Sequence, residues 1–339
     1  MRLRTSWFSV KIDPRVPLVL TILAAAAFAA IVANIGTGQM RIPPMDVVRT
    51  LFGNGPQEYD FVVNTLRLPR ALLAFMVGTG LGVSGAILQG VTRNPLAAPD
   101  VIGISSGAGL GAVAVILLVP TAKWSAIPPA ALAGALAAAA LTYVLGWKRG
   151  SNPIRLVLVG IGIAAICTAL INMVISVSKT TRVAETMIWL TGSVYGRSWE
   201  QVRPMAPWLA ILIPLALVMA RHLDALALGD DVARGLGSRV EWQRGLLLLI
   251  AVGLAGISVA AAGTVGFVGL MAPHIARQLV GPAHSGVLPA AGLLGGFLVV
   301  AADLLGRTLF APIEIPCGVI TAAIGAPYFI YLLYRTRNR

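Results

Sequence analysis

Residues 66–109 read LRLPRALLAFMVGTGLGVSGAILQGVTRNPLAAPDVIGISSGAG, and this stretch decides how the chain folds. Two arginines, Arg67 and Arg70, precede an apolar run that is rich in glycine and serine. The run ends in a polar segment at residues 89–95, after which a second glycine- and serine-rich run begins. Small residues let helix backbones approach closely within a bilayer. Polar or proline-containing backbone at membrane depth must be covered by protein or line a water-filled cavity. The stretch is therefore typical of helices that line a transmembrane pathway.

The composition of the whole chain indicates a membrane protein. Of its 339 residues, 57% are hydrophobic and 12% are charged, and the mean hydropathy is +0.85. Soluble domains carry about a quarter charged residues, whereas this chain repeats apolar runs of about 20 residues. The net charge of +13 comes from basic residues scattered over short loops, which fits membrane topology better than nucleic-acid binding. Cys167 and Cys317 lie in apolar runs and are expected to be small buried residues rather than a disulfide or metal pair.

We therefore predict an all-α, polytopic fold with about ten transmembrane helices, in a single membrane domain over residues 1–339. The spans are expected near residues 16–36, 70–92, 100–120, 125–147, 155–178, 204–221, 243–262, 264–280, 287–306 and 316–334. An even number of spans puts both termini on one side, and basic residues at both ends of the chain predict that this side is cytoplasmic. These residues are Arg2, Arg4, Lys11 and Arg15 near the N-terminus and Arg335, Arg337 and Arg339 at the C-terminus.

Several arginines are predicted on the opposite side, where topology does not require them. Arg67, Arg70 and Arg307 stand out because each lies beside a glycine- or proline-rich span end. An outward basic rim could dock an acidic partner or attract an anionic substrate. Contact with lipid headgroups and pairing with nearby carboxylates are the alternatives. Asp303 and Glu314 are expected to pair with Arg307 or to cap backbone groups.

Two polar segments outside the spans are predicted to form short helices. In residues 222–244, a first amphipathic helix is expected to end near Gly229, and Asp230 and Asp231 could cap a second one. Two short helices beneath a membrane domain offer a docking surface, and a solvated connector is the alternative. Residues 183–195 are too few to span and predict a surface helix on the opposite side, acting either as a lid or as a strut.

The motifs of several enzyme classes are missing from the sequence. It contains no G-x-x-x-x-G-K-[ST], no H-E-x-x-H and no G-x-S-x-G, so we expect neither a nucleotide site nor enzymatic activity in this chain. An ion-coupled secondary transporter is the alternative from a different class. It would require ionisable groups at mid-membrane, and the predicted spans carry almost none. The energy source is therefore expected outside this chain, with residues 222–244 as its attachment point.

Six motifs, taken in chain order, resemble those of the FecCD family. They are LRLPR (66–70), SGAILQG (84–90), NPLAAPDVIGISSGAG (94–109), LGDDVARGLG (228–237), GFVGLMAPHIAR (266–277) and DLLGRTLFAPIEIPCGVITAAIGAPYF (303–329). The resemblance extends over residues 60–335. This family comprises the permease subunits of type II ABC importers for ferric siderophores, haem and vitamin B12.

The resemblance implies a type II ABC importer permease fold, a dimer around a central path and several partners. These are two ATPase subunits, which bind ATP and magnesium, a periplasmic or lipid-anchored substrate-binding protein, and a second permease that is more often a paralogue than a second copy. No cofactor is expected in this chain, and no nucleic acid. The implied substrate is a ferric siderophore, with haem or vitamin B12 as alternatives, and the implied location is the bacterial cytoplasmic membrane.

The resemblance also assigns roles to individual residues. Arg67, Arg70 and Arg307 would dock the binding protein by pairing with acidic residues on its two lobes. Asn94 and Leu96 would form part of the cytoplasmic gate. Coupling to the ATPase is assigned to Gly229, Asp230, Asp231, Ala233, Arg234, Leu236 and Gly237.

Overall fold

The described part of the chain is a helical bundle preceded by one small antiparallel β-pair, β1 (Arg2–Thr5) and β2 (Phe8–Lys11). The computed structural model describes residues 2–5, 8–11, 14–119, 121–147, 153–178 and 180–336. Arg337 and Arg339 of the basic C-terminus lie outside the described residues. The predicted helical membrane fold is confirmed, and the β-pair is an addition that the apolar pattern did not indicate.

Ten helices correspond to the predicted spans. They are α1 (Arg15–Gly36), α4 (Leu68–Thr92), α5 (Ile104–Leu118), α6 (Ile127–Gly146), α7 (Pro153–Ser176), α9 (Trp199–Val218), α12 (Val240–Ala262), α13 (Val268–Val280), α14 (His284–Thr308) and α15 (Cys317–Thr336). Within the described residues, seven helical segments are long and apolar enough to cross a membrane, and α5 and α15 are shorter apolar helices. With 13 residues, α13 is about 20 Å long and crosses only part of a ~30 Å hydrocarbon layer.

Shorter helices connect the spans. They are α2 (Pro44–Leu51), α3 (Gln57–Asp60), α8 (Thr180–Thr191), α10 (Ala220–Ala227) and α11 (Asp230–Gly235). A π-helical segment, Phe61–Arg67, leads directly into α4, and a 3-10 turn, Trp124–Ala126, leads into α6. The helices predicted within residues 222–244 and 183–195 are thus present as α10, α11 and α8, with the start of α8 three residues earlier than expected.

Helix α4 is the centre of the bundle and packs against α12, α13 and α14. Its glycines make this possible, because a Cβ added at Gly78 would overlap the backbone of Gly295 on α14, and one at Gly85 would overlap the backbone of Gly269 on α13. The Ser84 hydroxyl donates to the carbonyl oxygen of Ala251 on α12 at 2.7 Å. The prediction that small residues in this stretch let helices approach closely is confirmed.

Consecutive spans run in opposite directions, so the bundle has two ends. One end holds the starts of α4, α6, α9 and α15 and the ends of α1, α12 and α14, and we name it the Arg70 end. The other holds the end of α4, the starts of α12 and α14, and both α10 and α11, and we name it the Asp230 end.

Two predicted spans begin later than expected. The span predicted at 264–280 was wrong at its start, because residues 263–266 are not helical and Phe267 has a φ of +66° immediately before α13. The span predicted at 100–120 was likewise too long, since α5 begins at Ile104. The two helix starts meet inside the bundle, where the Asp100 carboxylate lies against the Ser105 side chain and the Phe267 backbone. Helix N-termini carry partial positive charge, which favours a carboxylate between them.

Candidate functional site

Arg70 lies in the first turn of α4 and binds two carboxylates of the same chain. Its Nε donates to Asp303 Oδ2 at 3.1 Å and its Nη2 to Asp303 Oδ1 at 2.8 Å, in the paired geometry that guanidinium and carboxylate groups favour. The same Nη2 is 2.9 Å from Glu314 Oε2. The guanidinium also lies over the ring of Tyr195, with its central carbon 5.6 Å from the ring centre. Arg70 thus joins α4 to α14 and to the segment before α15.

Arg67 and Arg307 bind the C-terminal end of α1. Arg67 donates to the carbonyl oxygens of Ile35 at 2.6 Å and Met40 at 2.7 Å, and Arg307 donates to the carbonyl oxygen of Asn34. The last carbonyls of a helix lack partners within the helix, and basic side chains satisfy them while opposing the negative end of the helix dipole. Both arginines therefore stabilise the end of α1.

Together Arg67, Arg70 and Arg307 form what we call the three-arginine cluster. The structure brings the three predicted docking residues to one end of the bundle, although they are far apart in sequence. The expectation that Asp303 and Glu314 pair with Arg307 was wrong, because both carboxylates bind Arg70. Three guanidinium groups face two carboxylates here, so the cluster keeps an excess of positive charge.

At the Asp230 end, a single carboxylate joins three elements. Oδ1 of Asp230, the first residue of α11, is 2.6 Å from Nη2 of Arg244 on α12 and 3.3 Å from Nη2 of Arg93 at the end of α4. The Arg244 side chain is 0% exposed, and Glu241 is a second carboxylate at 3.7 Å. Asp230 therefore fixes α11 to the membrane helices and does not cap α11, whose N-cap position is occupied by Gly229, with φ +112° and no side-chain cap.

The predicted gate residues occupy a tight turn directly after Arg93. The Asn94 side-chain oxygen accepts a hydrogen bond from the backbone N–H of Leu96 at 2.9 Å, a local bond typical of asparagine turns. Arg93 has a left-handed backbone with φ +53° and ends α4. Gln89, one turn earlier, donates to the carbonyl oxygen of Leu270 on α13 at 3.3 Å. The turn is thus connected to α11 through Arg93 and to α13 through Gln89.

The predicted coupling residues divide into a buried and an exposed group. Ala233 is buried against the bundle and Asp230 is mostly covered, whereas Asp231, Arg234, Leu236 and Gly237 are exposed. Asp231 and Arg234 form an exposed ion pair with each other at 3.1 Å. The apolar side chains of Leu228, Val232 and Leu236 are 66%, 50% and 66% exposed and follow one another at four-residue spacing. We call these three side chains the apolar ridge.

Helix α8 lies at the Arg70 end and is fixed to its neighbours. Trp189 is buried, Thr264 donates to the carbonyl oxygen of Leu190, and the N–H of Ser193 donates to the carbonyl oxygen of Ala262 at 2.7 Å. The neighbouring Met187 is 47% exposed. These bonds favour the strut among the two predicted roles for this segment.

Sequence reasoning missed three features of the Asp230 end. Arg93 was seen only as part of a polar segment, and Arg244 and Val232 were not singled out. Leu228 was noted only as part of the amphipathic pattern before Gly229, not as an exposed side chain. Their signal is weak, because an arginine that binds a carboxylate 137 or 14 residues away looks in sequence like any loop arginine.

A protein-family model and several known proteins match this chain over most of its length. The sequence model of the FecCD transport family matches residues 23–335. The chain is 46% identical over 316 residues to the Fe(3+)-citrate import system permease protein YfmE of Bacillus subtilis, covering 93% of this chain and 94% of that protein. It is 44% identical over 311 residues to the achromobactin transport system permease protein CbrC of Dickeya dadantii, covering 91% and 89%.

A solved structure has the same fold. The chain superposes on a metal-chelate type ABC transporter in an inward-facing conformation with a TM-score of 0.85 and 30% sequence identity, covering 94% of this chain and 99% of that one. A second solved structure, of PsaBC from Streptococcus pneumoniae, matches with a TM-score of 0.55 at 16% identity, covering 84% of this chain and 94% of that one, and indicates a shared fold alone.

Proposed function

The chain belongs to the FecCD transport family, and on that premise we propose that it is the permease subunit of an ABC importer that carries a ferric siderophore across the bacterial cytoplasmic membrane. One observation carries the proposal: relatives that align over about nine tenths of the chain are permeases for iron chelates, among them Fe(3+)-citrate and achromobactin. Such chelates are hydrophilic and do not cross hydrocarbon unaided. A protein path and an energy source are both required.

The Asp230 end is the proposed contact with the ATPase. The apolar ridge and the exposed Arg234 are available to a partner groove, whereas Asp230 and Ala233 hold α11 against the bundle. Two ATPase subunits that bind ATP and magnesium would approach each other in the working cycle and displace α10 and α11. In this chain the Arg93–Asp230 contact would pass that displacement to the turn that holds Asn94 and Leu96.

The three-arginine cluster is the proposed contact with a substrate-binding protein. Its excess positive charge favours an acidic surface, through steering and through direct pairing. Arg70 is held by Asp303 and Glu314, so it positions the cluster. Docking by Arg67, Arg70 and Arg307 therefore competes with contacts inside the chain.

The remaining assignments follow from this arrangement. The Asp230 end and both termini face the cytoplasm, and the Arg70 end faces outward. A second permease, a paralogue more readily than a second copy, completes the membrane path. No cofactor is assigned to this chain.

Uptake by reconstituted importer tests the proposal. The permease with its ATPase subunits, its binding protein and any second permease is placed in liposomes, and entry of ⁵⁵Fe-loaded siderophore is measured with and without ATP on the ATPase side. We expect uptake that requires ATP and persists after ionophores collapse proton and sodium gradients. Uptake by the permease alone that follows an ion gradient would contradict the importer assignment. ATP-driven uptake of haem or vitamin B12 in place of the siderophore would contradict only the substrate.

A further inference from the structure

A cavity of about 370 Å³ lies at the Arg70 end, away from the three-arginine cluster. It is bounded by the start of α6, the start of α9 and the end of α12, with Trp124 and Trp189 among its walls. Helices α6 and α9 each pack against α12, so the cavity fills the space between them. None of the proposed docking, gate or coupling residues lines it.

Two opposite charges line this cavity without pairing. Arg197 and Glu200 are three residues apart at the start of α9, and neither forms an ion pair with any residue that the structure describes. The Arg197 Nε is buried and has no hydrogen-bond partner there. Burial lowers the pKa of the Arg197 guanidinium, which remains charged because its ordinary pKa is so high. A buried donor without a partner is costly, so this arginine is suited to an anionic group from outside the chain.

A hydrogen-bonded helix cap forms the backbone next to these two charges. The Ser198 hydroxyl accepts a hydrogen bond from the N–H of Glu200 at 3.3 Å, and the Gln201 side chain accepts one from the N–H of Ser198 at 2.9 Å. This reciprocal cap fixes the first turn of α9. The backbone at the start of α9 is therefore ordered before any ligand arrives, so binding does not carry the entropic cost of ordering it.

The cavity lies at one end of helix surfaces that the hydrocarbon of a bilayer would cover. Further along α6, toward the Asp230 end, Leu141 is 51% exposed, and further along α9, Ile211 is 66% exposed. Trp124, at the cavity, is 60% exposed. Exposed tryptophan at the end of an apolar helix surface is typical of the headgroup level of a bilayer. The cavity thus opens where lipid headgroups are found.

We propose that this cavity binds the headgroup of phosphatidylethanolamine from the leaflet at the Arg70 end. The phosphate would accept hydrogen bonds from the Arg197 guanidinium, which suits phosphate geometry, and the primary ammonium would donate to the Glu200 carboxylate. Phosphatidylglycerol offers no cation for Glu200, and the choline group of phosphatidylcholine has no N–H to donate. Arg197 and Glu200 together therefore favour the phosphatidylethanolamine headgroup over those of phosphatidylglycerol and phosphatidylcholine.

Lipid titration by native mass spectrometry tests this proposal on the full chain, purified in detergent and stripped of lipid. Phosphatidylethanolamine, phosphatidylglycerol and phosphatidylcholine with identical acyl chains are added separately. We expect the unmodified protein to bind phosphatidylethanolamine about tenfold more tightly than the other two, as one charge-assisted hydrogen bond would give. Equal affinity for the three lipids would overturn the proposal, and this comparison requires no variant.

Variants then assign the binding to the two charges. Arg197→Gln should weaken phosphatidylethanolamine binding by about tenfold or more, and Glu200→Gln should abolish the preference over phosphatidylglycerol. Arg182→Gln is the matched control, because Arg182 lines a neighbouring cavity but already donates to the carbonyl oxygen of Ile116 at 3.1 Å. Unchanged lipid binding in Arg197→Gln, or an equal loss in the control, would overturn the proposal. If the Arg197→Gln variant binds lipid normally and also fails to capture the substrate-binding protein, the proposal is overturned and the cavity belongs to a protein partner.

Discussion

Replacing Asp230 should destabilise the permease far more than replacing Arg93, although the two residues contact each other. Asp230→Asn removes the carboxylate that lies 2.6 Å from Arg244, whose side chain is 0% exposed. Loss of one member of a buried pair costs about 3–5 kcal/mol of unfolding free energy, and Glu241 at 3.7 Å replaces only part of the contact. Arg93 is 37% exposed and 3.3 Å from the same oxygen, so Arg93→Ala should cost about 1 kcal/mol or less.

Transport per ATP should fall in Arg93→Ala even though this variant loses little stability. Arg93→Ala keeps α11 attached to α12 through Arg244 but breaks its connection to the turn that contains Asn94. We therefore expect the Arg93 variant to hydrolyse ATP at a normal basal rate while transporting fewer siderophores per ATP. A double-mutant cycle should give about 0.5–1 kcal/mol of coupling between positions 93 and 230.

Denaturant unfolding in detergent measures the first ranking, and paired ATPase and uptake assays in proteoliposomes measure the second. Arg234→Ala is the control for stability, because the Arg234–Asp231 ion pair lies on the exposed face of the same helix. The unfolding free energy of this variant should be unchanged. The stability argument holds that Asp230 matters because it pairs with the buried Arg244. An Arg93→Ala variant as unstable as Asp230→Asn would refute it. Unchanged transport per ATP would refute the transmission through Arg93.

Three further predictions address packing, coupling and docking. Gly85→Ala should cost about 1–3 kcal/mol or more of unfolding free energy, because its Cβ would overlap a neighbouring helix backbone, whereas Gly162→Ala on α7 has open space and should be neutral or slightly stabilising in the same thermal unfolding assay. Leu236→Ser should reduce ATPase capture in a pull-down, because Leu236 belongs to the apolar ridge. Leu249 on α12 is also exposed, at 59%, and Leu249→Ala should leave capture unchanged. Equal capture by the two variants would contradict the proposed coupling surface. Glu314→Gln removes a carboxylate that is 31% exposed, so it should lower the unfolding free energy by about 1 kcal/mol or less. It also leaves more positive charge on the three-arginine cluster, so salt-sensitive binding of an acidic binding protein should tighten. Weaker binding would contradict a docking role for the cluster.

The helices were largely predictable because their determinants are local. Apolar length, glycine spacing and the polar segment at residues 222–244 predicted the spans and the pair α10 and α11. Errors fell where the backbone leaves regular structure inside the bundle, as at residues 263–267. Sequence pattern marks that segment as apolar and glycine-rich, which is equally compatible with a helix. Its non-helical backbone lies against Asp100, 167 residues before Phe267 in the chain.

Side-chain partners were much less predictable. The three arginines stood out in the sequence, and the family resemblance added their docking role. The partner predicted for Asp303 was nevertheless wrong, because Arg70 and Arg307 are both basic and only their placement on α4 and α14 decides which of them Asp303 binds. Arg93 was missed for a similar reason. Its role depends on the position of α11 beneath the end of α4, and no spacing in the sequence records that position.

The central place of α4 has a consequence for how the protein is made. The helices that enclose it, α12, α13 and α14, all follow it in the chain, and 216 residues separate Thr92 from Thr308. At about 5–20 residues per second, a ribosome needs roughly 10 to 40 seconds to supply them. Until all three have been made, part of the glycine-rich surface of α4 lacks its partners and must be shielded by lipid or by the insertion machinery. Newly made permease is therefore most exposed to membrane quality-control proteases before its last third has emerged. The order of its helices determines how long this exposure lasts.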